Sequence, residues 1–144
     1  KLRKNQLLRM LRVDKITLAV LQSVLHSYIY TSQKSIPAVR MLEEPVEDVR
    51  KRAEVLAEKL NFYTKLKQSS ISVGGGSGAS SKIETFTLTF EPKKSANRLS
   101  RMLRCADIPI ITRTEGNSII IDLKTVAENE IDIIANELNR LIRE

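Results

Sequence analysis

Residues 83–90 read Ile83-Glu84-Thr85-Phe86-Thr87-Leu88-Thr89-Phe90 and are followed at position 92 by proline. Thr85, Thr87 and Thr89 alternate with Phe86, Leu88 and Phe90, a period of two that puts one set of side chains on each face of a strand. Pro92 stops it. Upstream, residues 62–73 carry Leu66, Ser69, Ile71 and Val73 and read as a partner strand, joined through a Gly/Ser-rich loop at 74–82. Downstream, Ser95 is placed to cap a helix bearing Ala96, Leu99, Met102 and Leu103. Pro109 then leads into a strand through Ile110, Ile111 and Thr112. Glu115-Gly116-Asn117 signals a hairpin turn, and Ile119, Ile120 and Ile121 supply the return. Residues 127–142 close the pattern as a helix with Ile131, Ile134, Leu138, Leu141 and Ile142 on one side. Hairpins separated by helices predict an α+β domain, an antiparallel sheet with helices packed on one face.

The N-terminal part is helical. Residues 2–12 can form a short amphipathic helix on Leu2, Leu7, Leu8 and Leu11. Asp14 is an N-cap candidate for a longer helix whose Ile16, Val20, Leu21, Val24, Leu25, Tyr28 and Ile29 keep three- and four-residue spacing. Residues 31–37 read as a loop. Pro45 fits the start of a further helix with Val46, Val49, Ala53, Leu56 and Leu60 as its apolar stripe.

Composition narrows the function classes. The 144 residues are 42% hydrophobic and 28% charged, enough to bury one core. No apolar run reaches the roughly 20 residues of a membrane helix, and no secretory pattern opens the chain. One cysteine excludes an internal disulfide and a Cys-based zinc site, and one histidine a multi-His metal centre. Cys105 is expected to pack as a small apolar group, and His26 to have no catalytic role. Aromatics are 4% with no Trp, so base-stacking platforms are scarce. Lys1 in place of Met suggests a piece of a longer chain. The net charge is +7, of which residues 1–15 hold +5 through Lys1, Arg3, Lys4, Arg9, Arg12 and Lys15 against Asp14. So local a surplus suits an anionic partner, although a solvated basic helix face is the plainer explanation.

Three segments could carry chemistry. Arg9 and Arg12 are three residues apart, so on a helical turn they share a side, and two guanidinium forks suit a tetrahedral oxyanion. Spacing alone also allows both to be solvated or paired with acids elsewhere. Val73-Gly74-Gly75-Gly76-Ser77 lets backbone amides approach a ligand, yet lacks the Gly-Lys-Ser/Thr ending of a P-loop and equally fits a flexible hairpin connection. Arg113, near a turn, could hold a carboxylate or phosphate, or pair with Glu115.

Taken in order, these blocks resemble the C-terminal part of the bacterial selenocysteine synthase family, the L-seryl-tRNA(Sec) selenium transferases. The blocks are Asn5 to Leu18, Ile36-Pro37 to Met41-Leu42, Val73 to Ser77, and Pro109 to Arg113 with Ile121 to Val126. The chain departs from the family pattern at Gln6, usually Pro, at Gly78-Ala79, usually Leu-Pro, and at Lys124, usually Arg. The resemblance implies a fold-type-I pyridoxal 5'-phosphate enzyme converting seryl-tRNA(Sec) to selenocysteinyl-tRNA(Sec) with selenophosphate. It implies residues 1–30 as a helical link from a large cofactor domain and 31–144 as the small α+β domain. It also implies donor-anion binding by Arg9 and Arg12, active-site proximity for Gly74, Gly75, Gly76, Ser77 and Arg113, a Schiff-base lysine upstream of this chain, and a cytoplasmic, ring-shaped homodecamer built from dimers. No lysine present stands in the matching motif, so no catalytic residue is expected within these 144 residues. Two alternatives stand beside this reading: a related pyridoxal-phosphate lyase on a small substrate, and a stand-alone basic RNA-binding module. The second lacks any RRM or KH signature.

Overall fold

The computed structural model describes residues 5–72 and 82–143, except for the side chain of Arg9. Two compact units make up the chain, residues 1–43 and 44–144.

The first unit is helical. A 3-10 helix, Gln6–Arg9, is followed by a turn at Met10-Leu11 and an irregular stretch to Asp14. The helix expected over residues 2–12 is therefore only four residues long among the described ones, with Asn5 capping it by accepting the Leu7 amide at 3.0 Å. Helix α1, Lys15–Tyr30, starts where Asp14 predicts. The Asp14 carboxylate accepts the amides of Ile16 and Thr17, each at 2.9 Å, and the Thr17 hydroxyl at 2.7 Å. The apolar stripe of α1 is present but none of its residues is buried, and Ile16 and Ile29 are mostly exposed. A 3-10 turn, Gln33–Ser35, and a short helix α2, Pro37–Glu43, complete the unit.

The cap makes a pH-dependent prediction. Hydrogen bonds from the Thr17 side chain and backbone, then from the Ile16 amide, hold the Asp14 pKa below its ordinary value. A lowered folded pKa means the stabilisation is complete above the ordinary carboxylate range and is lost as pH falls through the lowered value. Protection of the Ile16 and Thr17 amides, taken relative to their intrinsic exchange rate at each pH, should fall on acidification through that range. Asp14→Asn should keep the cap and lose the pH dependence, since Asn caps about as well as Asp. Unchanged protection in acid would contradict the assignment.

The second unit is the α+β domain. Helix α3, Val46–Lys59, begins after Pro45 and is followed by strands β1, Lys65–Ser72, and β2, Lys82–Phe90. Helix α4, Ala96–Arg104, separates them from β3, Arg113–Glu115, and β4, Ser118–Asp122. Helix α5, Ile131–Arg143, comes last. The sheet order is β1-β2-β4-β3, antiparallel throughout. The alternation of β2 sets the layers. Phe86, Leu88 and Phe90 join Ile119 and Ile121 in the core with Val49, Ala53 and Leu56 of α3, Leu99 and Leu103 of α4, and Leu138 of α5. Asn139 of α5 locks the end of α3, accepting the Asn61 amide and donating to the Lys59 carbonyl, both at 2.8 Å.

Three local expectations are corrected. Ile110–Thr112 is not a strand: the Ile110 amide donates to the Leu103 carbonyl at 2.9 Å, closing the end of α4, and ladder pairing starts only at Arg113 opposite Ile120. Ser95 is the N-cap residue of α4 but its side chain makes no cap hydrogen bond; Asn117, from the β3–β4 turn, accepts the Ala96 amide instead at 3.0 Å. Cys105 is exposed, because it lies at the C-cap of α4 beyond its last buried position, Leu103.

Gly116 in that turn has φ +59°, where an L-residue clashes with its own backbone, while the space around a Cβ there is open. Gly116→Ala should therefore cost about 1–2 kcal/mol through backbone strain alone. Thermal unfolding checks it, and Gly116→Asn should cost less. Equal stability of Gly116→Ala and the parent would contradict the strain argument.

Candidate anion-binding site

Arg12 lies in the irregular stretch between the 3-10 helix and α1, and Arg9 is the last residue of that 3-10 helix. The turn at Met10-Leu11 means that the two do not share a continuous α-helical turn. Arg12 is exposed and, among the described residues, has no hydrogen bond or ion pair. Its closest acid in sequence, Asp14, is spent on the α1 cap. A guanidinium five residues or fewer from a helix start with no carboxylate partner keeps its whole fork for an external anion. Gly74 to Ser77 lie outside the described residues.

Arg113 belongs to the second unit and opens β3 on the face of the sheet opposite α3, α4 and α5. Register places it on one rung with Ile120, Thr89 and Lys65, while Asp122, Thr87 and Lys67 form the next rung. A cavity of about 370 Å³ on this face is bordered by Lys65, Lys67, Thr87, Thr89, Arg113 and Glu115. Arg113 pairs with Asp122 at 3.3 Å rather than with Glu115. Asp122 is itself fixed: it accepts the Thr85 hydroxyl at 2.6 Å and the Lys124 amide at 3.1 Å. Cations and hydroxyls on a flat face can hold a carboxylate or phosphate by charge-assisted hydrogen bonds.

Sequence reasoning missed a polar clasp within this unit. Arg52 of α3 grips Glu44 through two bonds of 2.7 and 2.6 Å and donates to the Leu123 carbonyl at 3.0 Å. Lys124, 4% exposed, donates its ammonium to the Glu44 carbonyl at 2.7 Å. Arg52 stands in the charged face of α3, and nothing in its spacing distinguishes it from Arg50 or Lys51. Among the described residues, no group of three or more His, Cys, Asp or Glu side chains could hold a metal, and no helix is long and apolar enough to cross a membrane.

Comparison with known proteins gives these arginines a context. The family model described as L-seryl-tRNA selenium transferase matches residues 1–127. The chain belongs to that family. Among L-seryl-tRNA(Sec) selenium transferases, it is 41% identical to that of Aliarcobacter butzleri, over 98% of this chain and 32% of the relative. Identity to that of Campylobacter jejuni strain RM1221 is 36%, over 98% of this chain and 31% of the relative. For Clostridium perfringens it is 37%, over 98% and 32%. The chain thus spans about a third of the length of the curated relatives it matches. Within the selenium transferase family, both Arg12 and Arg113 fall inside the matched region.

Proposed function

We propose that this chain is the C-terminal part of a selenium transferase that converts seryl-tRNA(Sec) to selenocysteinyl-tRNA(Sec) with selenophosphate as donor. The observation that carries the reading is the match of 98% of this chain to about a third of each relative named for that reaction. Residues 1–30 serve as the link from a large domain and 31–144 as the small domain. The exposed apolar stripe of α1 supports this, because a helix with that pattern is stabilised mainly by burying it against another element.

Arg9 and Arg12 bind the donor's phosphate-like group. The support is chemical: Arg12 offers a planar fork without a competing carboxylate among the described residues, and two guanidinium groups match the charge of a dianion. Fixed cations beside the reacting selenium would stabilise charge as it develops during transfer. Arg113 and the Gly74–Ser77 segment are further candidates for the active site of the longer protein.

The buried lysine Lys124 is committed to the Glu44 carbonyl and is not poised to form an imine. The cofactor would be held by the rest of the longer protein, and no step is assigned to it on this chain. The same reading makes the intact protein a cytoplasmic homodecamer built from dimers. Incubating the full-length protein with seryl-tRNA(Sec) and selenophosphate tests the whole proposal. Selenocysteinyl-tRNA(Sec) is the expected product; a preparation that binds both cofactor and tRNA and still makes none would overturn it.

A further inference from the structure

Between Pro92 and Cys105 the chain holds Lys93, Lys94, Arg98, Arg101 and Arg104 and no acid. Helix α4 buries Ala96, Leu99, Ser100 and Leu103 and turns Arg98, Arg101 and Arg104 outward, all exposed. Positions three apart on a helix are neighbours, about 5–6 Å between Cβ atoms, so the three guanidinium groups make a continuous stripe. Among the described residues, the side chains of Lys93, Arg98, Arg101 and Arg104 have neither hydrogen bond nor ion pair. Arg143, at the end of α5, extends the positive surface along a cleft of about 300 Å³ that also borders Lys93 and Arg98.

Helix stability does not account for this arrangement. Arg101 and Arg104 lie in the last turn, where cations interact favourably with the helix dipole. Lys93 and Arg98 lie at the opposite end, where the dipole repels cations, and the first turn carries no acid to compensate. Like charges at three-residue spacing also repel one another. The stripe costs the folded state, and a polyanion laid along it removes that cost.

We propose that the outer face of α4 binds the phosphate backbone of RNA. The assignment rests on the reading of the protein as acting on a tRNA, and it adds a surface on the small domain apart from the arginines given to the selenium donor. Arginine forks engage phosphates bidentately, and a row of them positions a backbone without reading bases. The scarcity of exposed aromatics on this face fits backbone recognition rather than base stacking.

The test measures affinity of the full-length protein for a labelled tRNA(Sec) transcript between 50 and 200 mM salt. The variant Arg98→Gln/Arg101→Gln/Arg104→Gln should bind at least about tenfold more weakly and lower the slope of log K against log salt by about 2–3. Arg98→Lys/Arg101→Lys/Arg104→Lys, which keeps the charge, should retain most of that slope. Lys34→Gln/Lys51→Gln/Lys59→Gln removes as much charge from elsewhere and should leave affinity nearly unchanged. All substituted side chains are exposed, and a thermal melt confirms folding. Unchanged affinity and slope in the α4 variant overturn the proposal and leave the enzyme reading standing. An equal loss in the control variant also overturns it, as does loss of binding to poly-glutamate while tRNA binding persists, which would mark a surface for acidic protein. Failure of the parent to bind tRNA at all overturns both this inference and the reading beneath it.

Discussion

Glu44→Ala should destabilise the α+β unit by about 3 kcal/mol, the low end of the loss expected when one partner of a buried ion pair is removed. The Arg52 side chain is 9% exposed and that of Glu44 19%, so water cannot replace the missing carboxylate well. Arg52 would keep only its bond to the Leu123 carbonyl, and its Nε is already buried without a partner. Its charge would be left uncompensated beside buried Lys124, whose own bond to the Glu44 backbone survives the substitution. For a domain of about 100 residues, 3 kcal/mol corresponds to a Tm fall of roughly 12 °C or more. Glu44→Gln should fall in between, since the amide oxygen still accepts one bond from the guanidinium. Arg52→Met in the Glu44→Ala background should recover much of the loss, because an apolar pair removes the stranded charge. Urea unfolding of the parent, Glu44→Ala, Arg52→Met and the double variant measures this directly; additive losses would show that the two side chains act independently.

This clasp also shows where sequence reading stops. The sheet was legible because Thr85 to Phe90 alternate polar and apolar positions, and because Gly116 marks a tight turn. The helices were legible because Val49, Ala53 and Leu56, or Ile131, Ile134 and Leu138, repeat at helical spacing and are buried together. What escaped depends on contacts distant in sequence. Ile110 to Thr112 are β-formers, but a hydrogen bond to the end of α4 takes Ile110 out of the ladder. Ser95 is a good capping type, yet Asn117 reaches the same amide from a separate hairpin. Arg52 pairs across eight residues and touches a carbonyl 71 residues away. The basic stripe of α4 is visible in the sequence as five cations without an acid, but its outward face is defined only by the burial of Ala96, Leu99, Ser100 and Leu103. Of the candidate site, Arg113 was correctly placed near a turn, while its partner proved to be Asp122 because Asp122 lies on the next rung of the sheet.

The second large effect concerns Arg9 and Arg12. Replacing either with alanine in the full-length protein should lower selenium transfer by about 10²–10³, the range for removing one fixed charge-stabilising donor. The double variant should abolish measurable transfer. Arg12→Lys should recover little, because an ammonium is a point charge and cannot form the two parallel bonds of a guanidinium. Stability should hardly change, since Arg12 is exposed and among the described residues touches no polar partner. The effect must therefore appear in function and not in the melting curve.

Donor saturation in the Arg12→Lys protein is the most direct measurement, because Arg9 is left in place and residual turnover can be followed. The account predicts that the KM for selenophosphate rises by at least about 10-fold while the Kd for seryl-tRNA(Sec) stays near that of the parent. An unchanged donor KM, or a collapse of tRNA affinity with donor turnover intact, would contradict it.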